Sequence, residues 1–376
     1  LGSHPMDFKR VTIDHDPREF CAMVDVSVPS YTGPAGATYR VMIVGDGAKR
    51  DKGRCVIASI GPNATVTEVQ SGCPSTPSTP DSLSLSRIGD KVYMVIGCAD
   101  EDGDRLQDDL HIYDIGSKKW SKSSSPCPVR DGHAAVVSDG LLICAGGGYG
   151  AETRRTWQYD PDEDDWTRLA DSPINLSYAA GTAVDEMCHF VGNLAYSHRT
   201  HAVYDTITDR WEKRGVTPCQ VYNAAAVTIE AGGESGTGGQ EIWLIGGFRE
   251  VGGIRVTGRV HRLSLSTCEW EEVGAGIPIS NVGGNSACRV GDDHTVPTLL
   301  VHGPDGSVLV ECHGRTDTTT ADTERERRRE SVSGTITTAS QSVMSLAPDQ
   351  LLLILTSVSL LTLPQTERER ERKREC

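Results

Sequence analysis

An all-β fold is what this 376-residue sequence predicts: a six-bladed β-propeller of four-stranded antiparallel blades, its ring closed by an N-terminal strand. Three observations predict it. Trp120, Trp166, Trp211 and Trp270 recur at separations of 46, 45 and 59 residues. A Tyr-Asp pair precedes three of them, with the tyrosine seven residues ahead of the indole: Tyr113-Asp114, Tyr159-Asp160 and Tyr204-Asp205. Upstream of each indole an apolar run ends in glycine, at Gly97, Gly146-Gly147, Gly192 and Gly246-Gly247. A period of about 40–50 residues filled with short strand-like segments marks a propeller or another repeat array.

The clearest unit runs from Pro128 to Pro173, with strands expected at 133–138, 141–145, 156–159 and 166–169. The second is a continuous apolar run, as in a strand covered on both faces. Gly146-Gly147-Gly148 follows, where the chain must turn sharply and positive φ is cheap. Six turn-forming residues, 160–165, separate the third strand from the fourth. The same order is repeated over 81–127, 174–219 and 220–276, and the last of these carries a glycine-rich insertion at 231–239. Two degenerate units flank these four. Segments 21–28, 38–44, 54–60 and 64–69 form a first blade without its tryptophan, and 285–290, 298–302 and 308–312 form a last blade lacking a fourth strand. The strand-like segment 8–13 has no blade of its own. An unpaired edge invites aggregation, so this segment is expected to complete the last blade and close the ring. The domain reading is therefore an N-terminal extension (1–19), a propeller (20–313) and a tail (314–376).

Composition agrees and excludes some functions. Forty glycines against four phenylalanines suit many short strands and tight turns. The net charge is −15; residues 1–313 hold 27 Lys+Arg against 42 Asp+Glu, and the tail holds 10 of each. The propeller thus carries the whole deficit, which argues against non-specific binding to nucleic acid or an anionic membrane. Twelve cysteines have irregular spacing and no Cys-x-x-Cys, so buried reduced thiols are expected, as at Cys98, Cys144 and Cys188. Two glycosylation triplets, at Asn63 and Asn175, are of a kind that arises by chance, no signal segment is visible, and the expected location is cytoplasmic. The tail, with Arg/Glu runs around a Ser/Thr-rich stretch and a Leu-rich segment at 351–363, reads as disordered. That segment is shorter than the roughly 20 residues that span a bilayer and makes only a weak tail anchor.

Glycine pairs after an apolar strand, Tyr-Asp ahead of a turn and a tryptophan, and Pro128-Val129-Arg130-Asp131-Gly132-His133 at a unit's entry together resemble the kelch repeat. The resemblance covers residues 20–313. Gly97-Cys98 and Gly192-Asn193 depart from the double glycine, and Leu263-Ser264 stands where Tyr-Asp is expected. It implies four-stranded blades around a central channel and a peptide or protein partner bound at the channel mouth. Carried over position by position, the mouth residues between blades are Arg130, Asp131, Ser177, Tyr178, Tyr222 and Asn223. Those after the second strands are Tyr149, Asn193, Tyr196, Phe248 and Arg249. The tryptophans and Tyr-Asp pairs are expected to pack blade against blade, and His133 to pack against the neighbouring blade.

Catalytic readings fare worse. Asp100, Asp102 and Asp104 resemble the start of a calcium loop, but Arg105 stands where that loop needs glycine and His111 where it needs glutamate. His198 and His201 precede a strand, and no carboxylate or cysteine cluster lies near them. No Gly-x-Ser-x-Gly elbow or phosphate-cradling loop occurs. No catalytic residue, metal ligand or cofactor is assigned. The expected function is a non-catalytic protein-interaction module; the alternative is a propeller enzyme of galactose-oxidase or sialidase-like type.

Overall fold

The computed structural model describes residues 6–11, 13, 21–27, 39–45, 54–61, 66–71, 83–97, 109–148, 150–194, 199–217, 219–230, 239–250, 254–256, 258–273, 276–277, 287–290, 298–303 and 306–312. Six four-stranded antiparallel sheets are present among them. Strand β1 is Met6–Val11. Blade 1 follows with β2 (Cys21–Asp25), β3 (Tyr39–Gly45), β4 (Arg54–Ile60) and β5 (Val66–Ser71). Blade 2 is β6 (Leu83–Ile88), β7 (Lys91–Ile96), β8 (Leu110–Asp114) and β9 (Lys119–Lys122). Blade 3 is β10 (His133–Ser138), β11 (Leu141–Gly146), β12 (Thr156–Asp160) and β13 (Asp165–Arg168). Blade 4 is β14 (Ala180–Val184), β15 (Met187–Val191), β16 (His201–Asp205) and β17 (Arg210–Lys213). Blade 5 holds β18 (Ala225–Glu230), β19 (Gln240–Ile245), a two-stranded side hairpin β20 (Phe248–Glu250) and β21 (Ile254–Val256), then β22 (Val260–Ser264) and β23 (Glu269–Glu272). Blade 6 is β24 (Ala287–Val290), β25 (Thr298–Gly303) and β26 (Gly306–Cys312), completed on its outer edge by β1.

Two features lengthen the last tryptophan interval. The glycine-rich insertion lies in the β18–β19 hairpin, between Glu230 and its partner Gln240, and the β20–β21 hairpin is inserted between β19 and β22.

The closing strand pairs Met6 with Cys312 and Val11 with Ser307, so the N-terminus supplies the fourth strand expected of it, shifted two residues earlier than the sequence suggests. The Lys9 ammonium and the Glu311 carboxylate pair across this joint. Burial continues beyond the strand: Val11 is fully buried and Ile13 is buried too. Closure shows most plainly in the cores. One apolar cluster joins blade 6 to blade 1 through Leu300, Leu309, Val41 and Ile43, and others join blades 1 to 2, 2 to 3, 3 to 4, 4 to 5 and 5 to 6. Each sheet buries both faces against its neighbours, which is why the second strands read as unbroken apolar runs.

The seven-residue Tyr-to-Trp spacing has a local cause. Tyr113, Tyr159 and Tyr204 lie directly opposite Trp120, Trp166 and Trp211 on adjacent strands. Their ring centroids are 5.2, 5.1 and 5.2 Å apart, a contact that contributes about 0.5–1.5 kcal/mol beyond area burial. The aspartate following each tyrosine organises the intervening turn. Asp114 Oδ1 accepts from the Ser117 amide at 2.6 Å, Asp160 Oδ1 from Asp162 at 2.9 Å and Asp205 Oδ1 from Ile207 at 2.9 Å. In blade 5 Leu263 faces Trp270 and Ser264 replaces the aspartate; the turn is closed by the Cys268 amide on the Ser264 carbonyl at 2.7 Å.

The cysteine expectation needs correction. Cys127, Cys144, Cys188, Cys219 and Cys288 carry buried thiols, and burial pushes Cys188 up to about 12. Cys55 and Cys268, however, are disulfide-bonded. Cys98, the acidic segment 100–104, His198 and the tail from 314 lie outside the described residues. Among the described residues, no helix is long and apolar enough to cross a membrane.

Candidate functional site

Every first strand starts, and every second strand ends, at the same end of the ring, so the blade-to-blade connections and second-to-third loops collect at one mouth. There the chain is stitched circumferentially. The Tyr178 amide donates to the Gly132 carbonyl at 2.7 Å, and the Asn223 amide donates to the Tyr178 carbonyl at 2.7 Å. Gly132, Tyr178 and Asn223 therefore hold one structural position in blades 3, 4 and 5, and all three have positive φ, at 72°, 54° and 54°. Asparagine tolerates that conformation; tyrosine rarely adopts it, and here the surrounding bonds impose it.

The end of each second strand is clamped on both sides. The Gly148 amide donates to Asp131 O at 2.5 Å within blade 3, and Gly147 to Leu176 O at 3.3 Å in blade 4. One step on, Leu194 donates to Ser177 O at 2.9 Å and Asn193 to Val221 O at 3.0 Å. Close approach is what selects glycine here. A Cβ on Gly146 would lie 2.0 Å from Leu176 O, and one on Gly192 would lie 2.3 Å from Val221 O. The first glycine of each pair thus faces the next blade's entry. The second faces its own: a Cβ on Gly147 would sit 2.6 Å from Arg130 O. Asn193 replaces that second glycine without positive φ, which explains how the departure is tolerated.

Within this frame Arg130, Asp131 and Tyr178 come together between blades 3 and 4. The Tyr178 hydroxyl donates to Asp131 Oδ2 at 2.8 Å, and its ring lies over Gly132, where a Cβ would meet it at 2.9 Å. All three residues are half-buried. The β-carbons of Arg130 and Glu152 both flank Gly148, and the Arg130 side chain has no hydrogen-bond or ion-pair partner among the described residues. Tyr222 is the half-buried residue at the next step round the mouth. Ser177, Asn193 and Asn223 are buried and hold the backbone stitching described above. Phe248 and Arg249 belong to β20, and their side chains lie outside the described residues, as do Tyr149 and Tyr196.

His133 packs as expected against the neighbouring blade. Its ring bonds Ser84 of β6 at 2.9 Å through Nε2, and Arg130 O at 3.0 Å through Nδ1. Accepting at Nε2 and donating at Nδ1 makes it a neutral imidazole, and burial pulls its pKa down to about 4. Ser84 is buried, so the pair is a strut between two inner strands. Sequence reading missed this serine and missed Glu152 beside Arg130; both become neighbours only through the ring. No group of three or more His, Cys, Asp or Glu side chains is placed to hold a metal ion among the described residues.

Comparison with known proteins gives a consistent picture. The Kelch motif family model matches residues 130–173, the blade containing Trp166. Kelch-like protein 25 of Xenopus tropicalis is 26% identical over 212 residues, covering 53% of this chain and 33% of that protein. Kelch-like protein terF of Aspergillus terreus is 25% identical over 224 residues, 54% of this chain and 46% of the other. N-acetylneuraminate epimerase 1 of Escherichia coli O6:H1 is 24% identical over 201 residues, 52% of this chain and 49% of the enzyme. This chain therefore spans only a third to a half of the length of these relatives. The solved structure of YjhT superposes with a TM-score of 0.50 at 14% identity, covering 79% of this chain and 99% of that one, a likeness of fold alone.

Proposed function

The chain is a propeller of the kelch-repeat type, and on that premise we propose that it is a non-catalytic protein-interaction module that binds a peptide or protein partner at the channel mouth. The observation that carries this reading is the Arg130–Asp131–Tyr178 group. A half-buried arginine with no side-chain partner among the described residues adjoins the aspartate that pins a tyrosine ring through its hydroxyl, on a rim made rigid by interblade hydrogen bonds. Arginine and tyrosine held on a rigid frame recover binding energy with little loss of side-chain freedom. Tyr222 extends the same surface one blade further. The test is affinity capture by the full chain, compared with Arg130→Ala, Tyr178→Ala and Tyr222→Ala variants of unchanged thermal stability. Proteins retained by the wild type and lost from two or more variants support the mouth as the binding face. An unchanged set from all three overturns it.

A second reading is favoured by one observation, the similarity to N-acetylneuraminate epimerase 1, and makes the mouth the site of a sugar-acting propeller enzyme. Incubation with N-acetylneuraminate, read by proton NMR for a change at any ring carbon, decides it. The first reading places the protein in the cytoplasm. The disulfide bonds at Cys55 and Cys268 count against a reducing compartment, and the five buried thiols fit either setting. Mass spectrometry of the alkylated native protein, without reduction, separates the two.

A further inference from the structure

The seam between blades 4 and 5 is built differently from the others. Five seams are each filled by one continuous apolar cluster, but this one holds two small clusters, one around Ala180, Val191 and Leu244 and one around Val184, Ile242 and Leu263. Register explains the gap. On the face of blade 4 that meets blade 5, Ala180, Val191 and His201 form one row, Thr182, His189 and Val203 the next, and Val184 and Met187 the third. The polar middle row divides the apolar filling. Thr182 bonds Thr228 of blade 5 across the seam at 2.8 Å, and His189 Nδ1 lies 3.0 Å from His201 Nε2. Both imidazoles are buried, at 1% and 2% exposure, and His189 Nε2 has no hydrogen-bond partner among the described residues. Blade 3 carries Ile143 and Thr156 at the corresponding places, and its seam with blade 4 is unbroken.

We propose that the seam between blades 4 and 5 is an acid-operated opening point of the ring, held shut by the neutral His189–His201 pair. Neutral, the two rings share one N–H···N bond. A further proton leaves a cation in a dry seam, with an N–H at His189 Nε2 facing no acceptor. The surrounding charges do not help. Arg214, buried at the exit of β17, is the charged group that disfavours a cation at both rings, and its own ion pair is with Glu212. From blade 5 the seam presents the edge of Trp270 to His201 at 6.0 Å, and His261, 3.8 Å from the Cys219 sulfur. The carboxylates at its margin are committed, Asp205 to the turn after β16 and Glu272 to Arg259.

Burial lowers both imidazoles, His201 to about 3, with Arg214 contributing. The folded value lies below the ordinary one near 6.5. The closed seam is therefore at full strength above about pH 6.5 and weakens as pH falls toward the folded value. One proton taken up on opening by an imidazole of ordinary value makes the opening equilibrium about 30-fold more favourable between pH 7.5 and 5.0.

Hydrogen exchange of the full chain at pH 7.5 and 5.0, corrected for intrinsic rates, tests this. The expected result is about 30-fold faster exchange at pH 5.0 in β15, β16, β18 and β19, with β3 and β4, which contain no histidine, unchanged. The double variant H189I/H201T, which installs blade 3's pair, should stay closed at pH 5.0. His201→Gln, which cannot titrate, is the second variant should the double one not fold. Equal acceleration in all blades, no acceleration at pH 5.0, or persistence of the effect in these variants overturns the proposal.

Discussion

Replacing Asp164 with alanine should loosen blade 3 from blade 2, because this carboxylate joins them. Its Oδ1 accepts from the Tyr159 hydroxyl at 2.5 Å and Ser123 Oγ at 2.6 Å; its Oδ2 accepts from the Ser124 amide at 2.9 Å and Ser124 Oγ at 2.6 Å. Both serines belong to the segment leaving blade 2. Hydrogen bonds to a charged acceptor contribute about 1.5–3 kcal/mol each, but on a partly wetted rim the figure falls to about 1 kcal/mol. Four of them give about 3–4 kcal/mol. Alanine adds about 1 kcal/mol because residue 164 has a φ of 53°. Asparagine tolerates that φ and keeps one acceptor oxygen, so Asp164→Asn should cost about 2 kcal/mol. Urea unfolding followed by tryptophan fluorescence at pH 7 measures both. The reasoning is refuted if the two variants are equal, or if both lie within about 0.5 kcal/mol of an Asp162→Asn control. The sign with pH follows from the same bonds. Those from Ser123, Ser124 and Tyr159 hold the Asp164 carboxyl well below the usual carboxylate range. Its contribution is present above the ordinary value near 3.9 and is lost as pH falls below it, so wild type and Asp164→Asn should converge in acid.

Other expectations rest on contrasts within the ring. Gly146→Ala should cost about 4 kcal/mol or prevent folding, since the new Cβ meets Leu176 O; Gly140→Ala, with φ of 77° and nothing within 4 Å, should cost about 1–2 kcal/mol. Comparable losses in urea unfolding would dismiss the close-approach argument. Trp211→Phe should cost about 1 kcal/mol more than Trp166→Phe, because Trp211 Nε1 donates to Ala170 O at 2.9 Å across the seam and Trp166 Nε1 has no partner among the described residues. Thermal melts of the two variants check the difference. Deleting residues 1–11 removes β1 and bares the edge of β26; light scattering should detect association, and a synthetic peptide of residues 5–14 should reverse it. A monodisperse truncated protein would mean the ring closes without that strand.

Much of the architecture was legible because propeller motifs are local devices. Tyr159 faces Trp166 across one tight turn and Asp160 caps that turn, so spacing along the chain reports spacing in space. Strand ends strayed by one to three residues, as at β1 and β2. The mouth was legible only in outline. Tyr178 and Asn223 share a backbone position with Gly132, a likeness visible only once hydrogen bonds run from blade to blade. Asn193 and Ser177, chosen by their place in the repeat, are buried in that stitching.

By itself the sequence determined the repeat: which segments pair, where each turn falls, and that the N-terminus must lend a strand to the last sheet. Those are short-range consequences of side-chain alternation, turn chemistry and one cross-strand aromatic pair. The tertiary structure alone decided the disulfide state of Cys55 and Cys268 and what meets between sheets: the Ser84–His133 strut, the Tyr178–Asp131 bond on the rim, and the histidine pair that splits one seam. Contacts between blades join residues some forty or more positions apart, and their chemistry is set by how radially arranged sheets face one another, which no local pattern in the chain encodes.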